Sequence, residues 1–270
     1  MRQLLHLSDV HFGPKHLPEV AAGVLRLAAE RRPDLVVISG DLTQRAKPYQ
    51  FREARQFSDR LSLPVLAVPG NHDVPLYRVW ERVFLPYGAY RRHYQRNLEP
   101  TFEDAELLVV GLNTAYNWTF KGGRLTRSQL GRLERRLDAA KPEQARIVVA
   151  HHHMVSPEHF DRQRVIRGAR RAARAFSRLG VEMVLSGHQH QTFLGSSRAF
   201  FPDLEPAFLL AHTGTSTSSR GRGREEHANT CNWVVVGPER IEVAVLGWQG
   251  REFVELERQA WPRWARPVVR

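Results

Sequence analysis

The chain has 270 residues, 42% hydrophobic and 25% charged, which suits one large globular domain with a full core and leaves two small domains as the weaker reading. No apolar run approaches the roughly 20 residues needed to cross a bilayer, and a single cysteine, Cys231, excludes an internal disulfide framework. The net charge of +12 is carried almost wholly by arginine spread along the chain, so it fits an anionic partner and a general arginine bias equally well.

The chain opens Met1-Arg2-Gln3 and enters a core strand at once. No signal peptide is therefore expected, and the cytoplasm is the expected compartment. Residues 3–7 form that strand, and it ends in Ser8-Asp9-Val10-His11. Side chains two apart on a strand share a face, so Asp9 and His11 are expected to converge on one point. A helix follows, with Pro18 in its first turn and Val20, Ala21, Val24, Leu27 and Ala28 as its apolar stripe, and Pro33 ends it. Asp34-Leu35-Val36-Val37-Ile38-Ser39 has the continuous apolar character of a strand covered on both faces, and it stops at Gly40-Asp41. A helix near 48–61 and a short strand over 64–68 lead to Pro69-Gly70-Asn71-His72-Asp73. This alternation predicts a parallel sheet covered by helices.

Residues 74–100 break the rhythm, being rich in arginine and in aromatic residues (Tyr77, Trp80, Phe84, Tyr87, Tyr90, Tyr94). Short helices forming a cap or insertion beside the sheet are expected, with plain packing of the rings onto the core favoured over substrate contact. A strand over 106–112 follows. Thr126-Arg127-Ser128-Gln129 then has the form of a capping box, opening a helix that carries Leu130, Leu133 and Leu137. A strand over 146–150 ends in His151-His152-His153. An amphipathic helix is expected over 162–179, with Val165, Ala169, Ala172, Phe176 and Leu179 inward and a solvated arginine face outward. A strand over 181–185 stops at Ser186-Gly187-His188-Gln189-His190.

Beyond that point the strand-like runs 191–200, 207–211, 232–236, 240–246 and 252–256 have no helix between them, which predicts an antiparallel second sheet. The expected architecture is α/β: a four-layer αββα sandwich of two mixed sheets packed face to face with helices outside. It is a single domain over 1–270, with the cap at 74–100 and a tail at 257–270 in which Trp261-Pro262-Arg263-Trp264 shows no periodicity.

Five strand ends carry ligand-type residues: Asp9-x-His11, Gly40-Asp41, Gly70-Asn71-His72-Asp73, His151 and Gly187-His188-Gln189-His190. Ligands of open α/β sheets bind beyond the carboxyl ends of the strands, and glycine beside a ligand lets backbone approach a crowded centre. The donors are oxygen and nitrogen only, which suits Mn, Fe, Zn, Co or Ni. They are too many for one tetrahedral ion and about right for two ions sharing a carboxylate.

Together, in this order and at these intervals, the five motifs resemble those of the calcineurin-like metallophosphoesterases over about residues 1–215. The resemblance implies that Asp9, His11, Asp41 and His190 hold one metal, and that a bridging Asp41 with Asn71, His151 and His188 holds the other, Mn or Fe being the expected ions. It implies in-line attack by a metal-bridging hydroxide on a phosphodiester, with Asp41 and His72 catalytic and His72 beside the leaving-group oxygen. Asn71, His72 and Arg45 are then candidate substrate contacts, and Gln44 and Asp73 support them from behind.

Gln44 stands where the protein serine/threonine phosphatases of this superfamily carry the Asp of an Asp-Arg-Gly run, which argues against a protein phosphatase. A neutral hydrogen bond from Gln44 to His72 is expected instead. The triple histidine, the Gly-His-x-His run and Gly214-Thr215-Ser216-Thr217-Ser218 leading to Asn232 are similar to the bacterial class III cyclic-nucleotide phosphodiesterases. A cyclic nucleotide or similar small phosphodiester is therefore the expected substrate. Nucleic acid is a second candidate partner, and a dimer is compatible with the chain. The alternatives are a DNA nuclease of the repair-exonuclease type, suggested by the basic charge and His11-Phe12-Gly13, and a non-catalytic metal-binding scaffold of the same fold. The complete ligand set ranks the scaffold last. Arg220-Gly221-Arg222-Gly223-Arg224 is expected to be a solvated loop rather than a basic lip of the site. His6 is expected to be packed, His152 and His153 to point away from the ligands with at most one of them backing a ligand, and Cys231 to be a core residue.

Overall fold

A computed structural model describes residues 1–157 and 165–263. Strands β1 (Arg2–Leu7), β2 (Leu35–Ile38) and β3 (Val65–Ala67) pair in parallel, each crossover being made by a helix, α1 (Pro18–Arg31) and α2 (Pro48–Leu61). Two short helices, α3 (Val79–Phe84) and α4 (Gly88–His93), precede the second sheet. That sheet begins with β4 (Thr101–Glu103), β5 (Leu107–Leu112), β6 (Ala145–Ala150) and β7 (Met183–Ser186), with helices α5 (Arg127–Asp138) and α6 (Ala169–Arg178) between β5, β6 and β7.

The remaining strands are shared between the sheets and do not form an antiparallel sheet of their own. β8 (Phe193–Ser196) and β9 (Leu209–His212) complete the second sheet, in the order β4-β5-β6-β7-β9-β8, with β9 parallel to β7. β10 (Thr230–Val236), β11 (Arg240–Trp248) and β12 (Phe253–Pro262) extend the first sheet, in the order β12-β11-β10-β1-β2-β3. Local alternation in a strand says which faces are apolar but not which neighbour it pairs with, so this allocation rests on contacts distant in sequence.

Period-two patterning builds the four layers. Leu4, Leu35, Val37 and Leu66 face Val109, Ile147, Val149 and Leu185 between the two sheets. Leu5, Leu7, Val36 and Ile38 face outward onto Val24, Leu27, Phe51 and Phe57 of α1 and α2. Val110, Val148, Val184 and Leu210 do the same against Leu133, Leu137, Ala172 and Phe176 of α5 and α6. Cys231 lies buried with the α1–α2 layer.

Three boundaries depart from expectation. The helix expected from residue 162 starts at Ala169, because Arg167 bridges to Arg124 in extended backbone and Gly168 takes φ 96°. Val165 is accordingly exposed rather than inward, and 158–164 lies outside the described residues. The last strand continues to Pro262, so 257–262 pairs with β11 instead of trailing; Trp264 lies outside the described residues. The aromatic segment divides in two. Tyr90 and Tyr94 are buried beside Phe51, whereas Tyr77, Trp80 and Phe84 face outward.

Candidate metal centre

The two sheets lie so that the loops after β1, β2, β3, β6 and β7 meet at one edge. Asp9 and His11 do converge there, though not through the strand pleat. β1 ends at Leu7, and both residues sit past it in left-handed conformation, φ 53° and 45°. Asp41, His188 and His190 share that conformation, at φ 52°, 72° and 58°. Five of the eight non-glycine residues at positive φ among the described residues therefore belong to one cluster, and backbone strain concentrated this way accompanies functional sites. Close approach explains the glycines. A Cβ on Gly187 would lie 1.8 Å from Ser8 Oγ, and one on Gly70 would lie 2.1 Å from Asp41 Oδ1.

Two groups of donors face each other across Asp41. In the first, Asp9 Oδ1 lies 3.0 Å from His190 Nε2 and 3.6 Å from His11 Nε2, and Asp41 Oδ2 lies 3.7 Å from His11 Nε2. In the second, His151 Nε2 lies 3.4 Å from Asp41 Oδ1, 3.1 Å from Asn71 Oδ1 and 3.3 Å from His188 Nδ1. Backbone carbonyls hold the far sides of the rings. His11 Nδ1 faces Thr43 O at 3.3 Å, His151 Nδ1 faces Ser39 O at 2.8 Å, and His190 Nδ1 faces Arg220 O. Each Nδ1 therefore carries the proton, and the Nε2 lone pairs point inward.

The consequence can be read from one distance: His11 Nε2 and His190 Nε2 stand 3.3 Å apart as two acceptors. The buried Asp9 Oδ1 beside them has no hydrogen-bond donor. A set of inward lone pairs fits a cation; Asp9, His11, Asp41 and His190 form one cluster of nitrogen and oxygen donors, and His151, His152 and His188 form a second, nitrogen-only cluster beside the oxygens of Asp41 and Asn71.

Burial pushes the carboxyl of Asp9 up, but positive charge at His190, His11 and His151 outweighs it and holds it well below the usual carboxylate range; protons on the ring nitrogens supply that charge, and a cation in their place would do the same. Asp41 behaves likewise, with His151, His72 and His11 overcoming burial. Both carboxylates are thus ionised at the centre of the cluster.

His72 stands at the rim, where a cavity of about 280 Å³ opens above Asp41 and Asn71. Its Nδ1 lies 2.9 Å from the main-chain oxygen of Gln44, which orients the ring, and its Nε2 lies 3.3 Å from the guanidinium of Arg220. The backbone of Gln44 therefore does what was expected of its side chain, whose Oε1 accepts from Lys15 N. Arg45 reaches the same cavity, 3.3 Å from His72 Nδ1. Burial pushes the His72 imidazole down, Asp41 pulls it up, and Arg220 and Arg45 push it down again, for a net value below the ordinary one.

Asp73 lies behind this rim, where it pins two loops together. Its oxygens accept from the main-chain N–H of Leu42 (3.0 Å), Thr43 (2.9 Å) and Gly70 (2.9 Å), and from Thr43 Oγ1 (2.9 Å). Asp73→Asn puts an NH2 group against two of these donors and is expected to destabilise the fold by about 2–3 kcal/mol, read from urea unfolding. An unchanged midpoint would remove Asp73 from the scaffold.

Two features were not anticipated. Arg220 belongs to the cavity rather than to a solvated loop; the Gly-spaced arginine run signals a flexible basic segment and says nothing of where it folds. His152 is also drawn in. With Nδ1 2.9 Å from Thr114 Oγ1 and its ring 4.6 Å from that of His188, it stands within ligand distance of His151 and His188 instead of pointing away. His153 stacks on His188 and meets Gln189, and His6 is buried against Ser39 and Asn232. The Gly214–Ser218 stretch buttresses the Asp9 loop: Thr215 Oγ1 donates to Asp9 O at 2.7 Å and Thr217 Oγ1 to Val10 O at 3.0 Å.

A family profile described as calcineurin-like phosphoesterase matches residues 2–192. A protein of Synechococcus sp. named "Probable cyclic nucleotide phosphodiesterase" is 28% identical over 176 residues, which is 64% of this chain and 64% of that protein. The chain thus spans just under two thirds of that relative. A "cAMP/cGMP dual specificity phosphodiesterase" of Mycobacterium tuberculosis is 28% identical over 271 residues, covering 93% of this chain and 81% of that one. Among solved structures, purple acid phosphatase PPD1 of yellow lupin matches with a TM-score of 0.71 at 10% identity, over 96% of this chain and 53% of that chain, a likeness of fold.

Proposed function

The chain belongs to the calcineurin-like phosphoesterase family, and on that footing we propose that it is a metal-dependent phosphodiesterase acting on small phosphodiesters, cyclic nucleotides among them. The observation that carries the reading is Asp41, which offers one carboxylate oxygen to each of two donor groups at the floor of an open cavity. Asp9, His11, Asp41 and His190 would hold one ion and Asp41, Asn71, His151 and His188 the other. Ions bound there supply Lewis acidity for the phosphate oxygens and a water acidified toward neutral pH.

The chain's own groups do the rest. Asn71 is held by its Nδ2 donating to Phe120 O at 3.4 Å, which turns Oδ1 toward the centre. The main chain of Gln44 fixes His72 so that Nε2 faces the cavity, where it can meet the departing oxygen. Arg220 and Arg45, on either side of that ring, place positive charge where a phosphate oxygen would lie. The names of the relatives from Synechococcus and Mycobacterium support a cyclic nucleotide as one such diester.

A hydrolysis panel with Mn²⁺ added tests this reading. It compares bis-p-nitrophenyl phosphate, p-nitrophenyl phosphate, 2′,3′- and 3′,5′-cyclic nucleotides and single-stranded DNA. Diesters are expected to exceed the monoester by at least about tenfold in kcat/KM, or about 1.4 kcal/mol of transition-state binding. Preference for the monoester would overturn the proposal, and preference for DNA would favour a nuclease.

A further inference from the structure

Helix α3 is built inside out. A surface helix ordinarily buries its apolar stripe and leaves its charges in water. Here Arg82 is only 7% exposed, while Trp80 and Phe84 are 78% and 67% exposed. The inversion is well supported from below. Arg82 donates to the carbonyl oxygens of Pro75 (2.8 Å) and Thr119 (2.6 Å), and its guanidinium lies 4.8 Å from the centroid of the Phe120 ring. Trp80 and Phe84 stack on each other, with centroids 5.7 Å apart and planes within 10°.

The exposed apolar surface does not end there. Tyr77, Val79 and Leu85 extend it at the ends of the helix. The loop 116–122, tied on by Arg82 and by Asn117 Nδ2 donating to Arg82 O, adds Trp118 and Phe120. These seven are most of the eleven exposed large hydrophobic residues among the described residues. Scattered ones need no explanation, but five within residues 77–85 and two more on a loop hydrogen-bonded to that helix mark a binding surface.

The group also adjoins a set of cations. Phe120 lines the cavity over the candidate metal centre together with Arg45, Lys121, Arg220 and Arg222, and Arg45 lies 5.8 Å over the ring of Tyr77. Among the described residues none of these four cations has a carboxylate within salt-bridge distance; some arginines elsewhere do, as Arg132 with Glu99 and Arg178 with Glu134, but many do not.

We propose that this face, α3 with the loop 116–122, seats on an anionic lipid surface. Tryptophan, tyrosine and phenylalanine beside arginine and lysine are the residues that settle at the boundary between headgroups and acyl chains, the rings in the apolar part and the cations, here Lys121 and Arg222 at the rim, on lipid phosphates, while Arg45 and Arg220 stay beside His72. A second copy of this chain suits the face less well, because a two-fold contact would set the unpaired cations against their own counterparts. Single-stranded nucleic acid suits it less well too. Trp80 and Phe84 already occupy each other's faces, and Val79 and Leu85 are no platform for a base.

Co-sedimentation with vesicles tests the proposal. Wild-type protein is expected to pellet with phosphatidylcholine mixed with phosphatidylglycerol at least about tenfold more than with phosphatidylcholine alone, and less so at high salt. The double substitution Trp80→Ser with Phe84→Ser is expected to lower that partition by at least about tenfold, while hydrolysis of bis-p-nitrophenyl phosphate and the thermal midpoint stay those of wild type. Trp118→Ser, on the separate loop, is expected to lower it as well and keeps the test open should the double variant misfold. Failure of the wild type to pellet, or equal pelleting of wild type and variants, would overturn the proposal. So would a dimer that the double variant dissociates, or binding of a single-stranded oligonucleotide that it abolishes.

Discussion

Asp41→Asn is expected to leave a folded protein that carries about one metal ion fewer and hydrolyses bis-p-nitrophenyl phosphate at least about a thousandfold more slowly, a loss of about 4 kcal/mol of transition-state stabilisation. The carboxylate touches both donor sets, through Oδ1 at 3.4 Å from His151 Nε2 and Oδ2 at 3.7 Å from His11 Nε2. The substitution is nearly isosteric but not symmetric in effect. Oδ1 also accepts from His72 N at 2.8 Å, so the amide oxygen is held on that side and the NH2 group is turned toward His11. An NH2 group cannot ligate, so the ion lost is expected to be the one held with Asp9, His11 and His190. Metal analysis of the purified variant beside its kcat reads both effects. Full metal content with activity within about tenfold of wild type would remove Asp41 from its bridging role.

His72→Ala is expected to behave differently: metal content unchanged, kcat lowered, and the loss dependent on the leaving group. The ring is oriented through Nδ1 by a main-chain carbonyl and touches neither donor set as a ligand, so its removal leaves both sets intact. Its Nε2 faces the cavity beside Arg220 and so can pass a proton to a departing alkoxide. An alkyl or ribosyl leaving group needs that proton and should slow by about a hundredfold to a thousandfold, whereas p-nitrophenolate, a far weaker base, should slow by no more than about tenfold. Equal losses with both classes of substrate would assign His72 to positioning rather than to proton transfer.

Much of this centre could be read from the order of residues, because each contributing segment is short and self-contained. A strand ends and a ligand-type side chain follows within four residues, with a glycine just before it in three of the five cases, Gly40, Gly70 and Gly187. Gly70-Asn71-His72-Asp73 carries this logic almost alone: the glycine admits Asp41, Asn71 and His72 face the cavity, and Asp73 ties the loop to the preceding one. The reason given for Asp9 and His11 was nevertheless mistaken. They meet because both residues adopt left-handed backbone past the strand, a conformation that spacing along a pleat does not reveal.

Other features had no local signal. Arg220 stands 148 residues from the His72 it touches, in a segment whose glycines and charges read as solvated. His152 looked displaced by one position from the candidate ligand His151, yet the loop after β6 brings both rings to His188. On α3, Trp80 was expected to pack onto the core, but it faces outward and Arg82 is buried instead, because two carbonyl oxygens and an aromatic ring lie below Arg82.

The sequence by itself determined the strand–helix alternation of the first two thirds, the apolar faces of α1, α2 and α5 and the set of metal-type donors at the strand ends. These depend on side-chain chemistry and on periodicities of two and 3.6 residues, which are local. Only the tertiary structure decided that β8 and β9 close one sheet while β10 to β12 extend the other, which side of α3 meets water, and that four cations ring one cavity. Those outcomes are set by pairings between distant segments. Their energies come from burial and hydrogen bonding that exist only once both partners are in place.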